Sequence, residues 1–207
     1  MSKSPEVRVV LVRCGRTEWD AEERICGSAD VPLCADGQKL AVEGARATSE
    51  GSIAVVLHGP DEASRETASA IAADLGSRTK GVDALAEMDL GLWEGLRQQD
   101  FEERYPTASR GWRDDPASVS APEGETLGEA DERVIGELAR ALERVKADGP
   151  IGVVLRPIAY GLATCWLRGM PMGSWRAAAE ESGGSARYVV SRADLKGARD
   201  GTRSGAT

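Results

Sequence analysis

Three short runs constrain this chain more than any other feature. "VRVVLV" (Val7 to Val12), "SIAVVL" (Ser52 to Leu57) and "PIGVVL" (Pro150 to Leu155) are β-branched or aliphatic at nearly every position. Strands with one solvated face alternate apolar and polar residues; runs without alternation fit strands covered on both faces. Each run ends abruptly in polar residues and then enters a helical pattern. The fold class that follows is α/β, a three-layer α/β/α sandwich with a mostly parallel central sheet.

The segments between the runs fit this arrangement. A helix is expected to start near Asp36, with Ala41, Gly44 and Ala45 spaced for close packing. "EASRETASAIAADLG" reads as a helix closed by Gly76. "DALAEMDLGLWEGL" reads as a loop-rich insertion. The segment from Thr126 to Gly149 reads as one long amphipathic helix, with Ala130, Val134, Leu138 and Leu142 on its apolar face. "AYGLATCWLRG" is expected to be helical and "ARYVVSR" to be a last strand. Residues 1–194 are read as one domain. The apolar-poor residues 195–207 are read as a disordered C-terminal tail.

Composition narrows the function classes. A formal charge of −8 over 207 residues gives no electrostatic basis for nucleic-acid binding. No apolar run approaches the length of a membrane span. "MSKSPEVR" carries no apolar signal region, so a cytoplasmic location is expected. The four cysteines, Cys14, Cys26, Cys34 and Cys165, are expected as free thiols. Their spacing is not that of a zinc site and His58 is the single histidine, so neither a metal nor a cofactor is expected.

In a parallel sheet, ligands sit beyond the C-terminal strand ends. Three ends then matter: Arg13-Cys14-Gly15, His58-Gly59-Pro60 and Arg156-Pro157. Cys14 has two readings. It is either a packing residue or a thiolate nucleophile, with Arg13 and Arg156 lowering its pKa. The second reading places His58 on a neighbouring strand as its base. Arg13, Arg24 and Arg156 suit an anion site, since guanidinium forks match phosphate and carboxylate. Alternatively Arg156 pairs with Glu87 or Asp20 and neutralises the pocket. Trp93 and Trp166 read as core or pocket-wall aromatics. Trp112 and Trp175 read as loop residues and candidates for a partner surface.

From about Val9 to about Gly169 the sequence resembles the histidine phosphatase superfamily, the phosphoglycerate-mutase-like proteins. "LVRCGRTEWDAEERICGSADVPLCADGQKLA" carries Arg13, Gly15, Thr17, Trp19, Arg24, Gly27, Asp30, Pro32, Leu33, Gly37 and Ala41 where the family's opening motif places them. "SRETASAIA" resembles its next helix and "LAEMDLGLWEG" its acid-bearing loop, with Glu87 at the proton-donor position. "PEGET" and Arg133 match the segment around the start of the long helix.

The resemblance implies a mechanism in which a histidine attacks phosphorus, two arginines and a second histidine bind the phosphoryl oxygens, and an acid protonates the leaving oxygen. Here Cys14 stands at the attacking position, Ala63 at the second arginine and Arg156 at the second histidine, while Arg65 falls on another helical face. Asp20 stands where asparagine is frequent. Of that machinery Arg13 and Glu87 remain.

The expectation is therefore a degenerate member that binds a phosphorylated or carboxylate small molecule, a partner protein or a second copy. The rivals are a Cys14-dependent transferase, hydrolase or isomerase, and a weak residual phosphatase or mutase.

Overall fold

The computed structural model describes residues 6–202. Five strands, β1 (Glu6–Arg13), β2 (Val55–His58), β3 (Arg78–Gly81), β4 (Ile151–Leu155) and β5 (Ser185–Ser191), form one sheet in the order β3-β2-β4-β1-β5. The first four run parallel and β5 pairs antiparallel with β1. The helices are α1 (Glu18–Ala21), α2 (Lys39–Ser49), α3 (Glu62–Leu75), α4 (Gln98–Arg104), α5 (Pro106–Asp114), α6 (Leu127–Arg144), α7 (Pro157–Arg168), α8 (Trp175–Glu181) and α9 (Arg192–Arg199).

The non-alternating strands are covered on both faces, as their sequences require. In β1, Val9 and Leu11 enter the larger core with α6 and α7, while Val10 and Val12 enter a second core with α2 and α3. β4 divides likewise, with Val153 on one side and Val154 on the other. Each fully buried Val or Leu contributes ~1.5–3 kcal/mol through removal of apolar surface from water. The three-layer sandwich is the expected one.

Local signals set most helix ends. Asp61 caps α3 by accepting from the Ser64 N–H at 2.9 Å, and Gly76 closes it in the left-handed conformation. Thr126 and Glu129 form a capping box on α6, whose residues Ala130, Val134, Leu138 and Leu142 are buried. That helix stops at Arg144 rather than Gly149, because Val145 turns to extended backbone and packs against the core.

Two readings need correction. Residues 195–199 are helical: α9 starts on a Ser191–Asp194 capping box and buries Leu195 and Ala198, so the boundary at 194 falls inside a packed element. Residues 203–207 lie outside the described part. Trp112 and Trp175 are not loop residues. Trp112 lies in α5 and buried Trp175 opens α8; their rings, 6.2 Å apart, extend a cluster with Trp93 and Phe101. Arg176 lies over both Trp112 and Trp175, at 5.2 and 4.5 Å from the ring centroids.

No helix among the described residues is long and apolar enough to cross a membrane.

Candidate functional site

The parallel strands bring the ends of β1, β2 and β4 to one edge of the sheet. β1 and β4 are neighbours, and the Cys14 N–H donates to the Leu155 carbonyl at 2.7 Å. The sharp turn after Cys14 depends on two glycines: a Cβ on Gly15 would run into the Gly37 carbonyl, which accepts from the Arg16 N–H.

Cys14 is 7% exposed. Its Sγ lies 3.5 Å from Thr67 Oγ1, which also accepts from the Gly15 N–H at 3.1 Å. Burial pushes the Cys14 thiol up to about 12, although the Thr67 hydrogen bond and the Arg156 charge oppose it. Arg156 does pull this pKa down as expected, but desolvation outweighs it. Exposed Arg13 is not among the groups that lower it.

The expected adjacency of Cys14 and His58 also fails. β4 lies between β1 and β2, so their strands are two spacings, about 9–10 Å, apart. The His58 Nδ1 instead makes a 2.6 Å hydrogen bond with its neighbour's carbonyl at Gly59. Its ring edge lies 3.5 Å from where a Cβ on Gly81 would stand, on the β3 side, away from β1.

Glu87 is buried and anchors a helix from afar. α7 has Pro157 in its first turn and no local side-chain cap. Glu87 supplies that cap: Oε2 accepts from the Ile158 N–H at 2.7 Å and Oε1 from Ala159 at 2.9 Å, with Met88 at 2.8 Å closing the loop. Burial raises the Glu87 carboxyl pKa against the pull of Arg156 and these three donors. The loop carrying Glu87 is held in turn by Arg133. That side chain grips Glu125 with two bonds of 2.7 and 2.6 Å and donates to the carbonyls of Ala84, Ala86 and Glu87.

Arg156 is 1% exposed and Asp61 8% exposed; Arg156 Nη1 lies 3.4 Å from Asp61 Oδ1. Burial works against the guanidinium charge, but Glu87 and Asp61 hold its pKa above the usual value. The carboxylate in contact with Arg156 is thus Asp61, with Glu87 as the larger electrostatic neighbour. Asp20 is committed elsewhere, accepting from the Thr17 N–H and hydroxyl at 2.8 and 2.6 Å. The Arg156 Nε and Nη2 and Asp61 Oδ2 have no protein partner.

Arg24 is spent on structure, with Nε on Glu22 at 2.6 Å and Nη1 on the Gly95 carbonyl at 2.8 Å. Glu94 similarly ties the opening loop to the Glu87 loop, accepting from Ser28 and Leu90 backbone N–H groups at 2.7 and 3.0 Å.

Arg13 faces a different space. A cavity of about 470 Å³ opens beside the end of β1, between α2 and the turn into β5. Arg13, Arg16, Asp20 and Glu180 supply its charged groups; Leu40, Ala41 and Ala179 supply apolar wall, and Cys14 reaches it from below. Sequence reasoning missed Thr67, Asp61, Arg16 and Glu180. Asp61 carried a legible signal as a helix cap, but its contact with Arg156 spans 95 residues and has no local signature.

Among the described residues, no group of three or more His, Cys, Asp or Glu side chains is placed to hold a metal ion.

Comparison with known proteins agrees with this architecture. "Probable phosphoglycerate mutase GpmB" of Salmonella arizonae is 33% identical over 170 residues, covering 80% of this chain and 76% of that protein. The Citrobacter koseri protein of the same description is 32% identical over 166 residues, with the same coverage. The alpha-ribazole phosphatase of Shigella flexneri superposes with a TM-score of 0.70 at 25% identity, covering 82% of this chain and 83% of the other. A mycobacterial glucosyl-3-phosphoglycerate phosphatase shares the fold with a TM-score of 0.73 at 22% identity, over 83% and 86% of the two chains. The pattern of the histidine phosphatase superfamily (branch 1) spans residues 9–191, nearly the whole described sheet with its helices, and the chain belongs to that superfamily.

Proposed function

We propose that this chain is a non-catalytic member of its superfamily that binds a small phosphorylated or carboxylate molecule at the C-terminal end of β1. One observation carries the reading. Arg156, which takes the place the family resemblance gives to a phosphate-binding histidine, is buried with its Nη1 3.4 Å from Asp61, next to a Cys14 thiol held protonated by burial. A phosphoryl-transfer site needs positive charge left available for the spreading negative charge of the transition state. Here the central cation already faces two carboxylates. The nucleophile position holds no imidazole, and a thiol that titrates near 12 is not a nucleophile at neutral pH.

The relatives include proteins described as a phosphoglycerate mutase and as phosphatases. Phosphate chemistry is therefore the first place to look for a ligand. Arg13 and Arg16 remain available for it, with no carboxylate partner among the described residues; Arg16 donates to the Asp20 carbonyl at 3.3 Å.

Isothermal titration of the purified chain with inorganic phosphate and with 3-phosphoglycerate tests the reading. Binding is expected, and Arg13→Ala is expected to weaken it about 10–100-fold, the value of a charge-assisted hydrogen bond. Absence of heat and of any thermal stabilisation with either compound refutes the anion site. Binding that survives Arg13→Ala unchanged places the ligand elsewhere and refutes the assignment to this cavity.

A further inference from the structure

The strand-end site does not account for a cluster of positive charge at the edge of the sheet. β3 is the last strand of the sheet, and all four of its residues, Arg78-Thr79-Lys80-Gly81, are exposed. Among the described residues, its outer edge carries no further strand. The pairing register sets Arg78 beside Val55 and Lys80 beside Leu57. Val55 and Leu57 belong to the core beneath α6, so the stems of Arg78 and Lys80 lie on the α6 face of the sheet. α6 brings Arg144 to the same place in its last turn, and Lys146 follows two residues later. Together with Val55 and Thr79, these four cations line a groove of about 380 Å³.

Little inside the protein neutralises it. Arg144 Nη1 lies 3.7 Å from Glu137, a carboxylate that also meets Arg140 at 3.4 Å. Arg78, Lys80 and Lys146 make no ion pair among the described residues. Four exposed charges of one sign around one groove repel each other, in a chain whose overall charge is −8. Cations on an edge strand guard against unwanted strand pairing. That explanation covers Arg78 and Lys80 but not Arg144 and Lys146, which come from another element and converge on the same edge.

We propose that this groove docks an extended acidic segment of a partner protein, which adds to the sheet as a strand beside β3. The open edge supplies main-chain donors and acceptors, and side chains at alternate positions supply selectivity. A segment with carboxylates at every second residue would present them all on the α6 face, opposite Arg78 and Lys80 and within reach of Arg144 and Lys146. A second copy does not fit through β3 itself, because the pairing would set four cations against four.

Fluorescence anisotropy of the full chain with a labelled short peptide alternating glutamate and valine tests this. Binding is expected, and it should weaken as salt rises through the physiological range, where the screening length is ~8 Å. Both R78E/K80E and R144Q/K146Q should weaken binding about tenfold or more with thermal melts shifted by no more than a few degrees, since all four side chains are exposed. An N-methylated peptide of the same sequence, which keeps its charges but cannot pair as a strand, should bind at least about tenfold more weakly. No binding, equal binding of the N-methylated peptide, or equal binding of a single-stranded oligonucleotide of matched charge overturns the proposal.

Discussion

Replacing Asp61 with serine isolates the charge relation at the centre of the site. Serine is a good N-cap, so Asp61→Ser keeps a hydroxyl acceptor for the Ser64 N–H at the start of α3 and removes mainly the carboxylate facing Arg156. Arg156 is 1% exposed and cannot recover the loss from water without moving. Two unit charges 3.4 Å apart attract by about 5 kcal/mol at an effective dielectric of about 20. Breaking a buried pair by removing one partner costs about 3–5 kcal/mol, chiefly because the other charge is stranded. The 3.4 Å separation is longer than a charge-assisted hydrogen bond of about 2.7–2.9 Å, which favours the lower end.

A loss near 3 kcal/mol lowers the melting temperature of a chain this size by about 6–12 °C. Urea unfolding of the wild type, Asp61→Ser, Arg156→Met and the double variant completes a cycle. The double variant should cost less than the sum of the two single variants, since losing the Asp61 carboxylate strands no charge at Arg156 once that cation is gone. A cost below about 1 kcal/mol for Asp61→Ser, or strict additivity in the cycle, would refute the coupling and with it the sealed cage.

Native-state alkylation with iodoacetamide should label half-buried Cys26 and Cys34 well before Cys14, and mass spectrometry of timed samples reads the order. Cys14 reacting first would mean an available thiolate. Its raised pKa also has a sign for stability: the unfolded thiol ionises near its ordinary value of about 9 while the folded one stays protonated until about 12. Stability should therefore fall through that window as pH rises, by up to roughly 1.4 kcal/mol per pH unit. Cys14→Ala should remove this share of the decline, as urea midpoints at about pH 8 and 10 would show. Arg133→Ala is expected to cost about 1.5–3 kcal/mol and to speed amide exchange across residues 84–89, with Arg133→Lys failing to restore either, because lysine has no bidentate fork.

The sandwich was legible because its central strands announce themselves. Val9 to Val12 and Val153 to Leu155 are buried on both faces, and their β-branched content and short length set them apart from buried helix segments. β3 was not legible. An edge strand with four exposed residues has no apolar period, and only its register beside β2 makes it a strand. α9 escaped for a related reason: only two apolar residues, Leu195 and Ala198, bury its inner face, and α6 is what it packs against.

The positions of the candidate site residues were legible in the sequence, and their contacts were not. Cys14, Arg156, Glu87 and His58 do sit at strand ends or beside them. Which pairs form depends on strand order, and β4 between β1 and β2 separates the cysteine from the histidine. Glu87 was expected as an acid and is found capping α7, a role set by two backbone N–H groups about seventy residues away in sequence.

The central claim is that phosphohistidine chemistry is absent and that Cys14 does not replace it. Turnover of p-nitrophenyl phosphate and 3-phosphoglycerate by the wild type and by Cys14→Ala tests it most directly. Both proteins should stay at the uncatalysed rate, and Cys14→His alone should stay there too, because the family resemblance puts Arg156 in place of the second histidine and Ala63 in place of the second arginine. Wild-type turnover that disappears in Cys14→Ala would contradict the account.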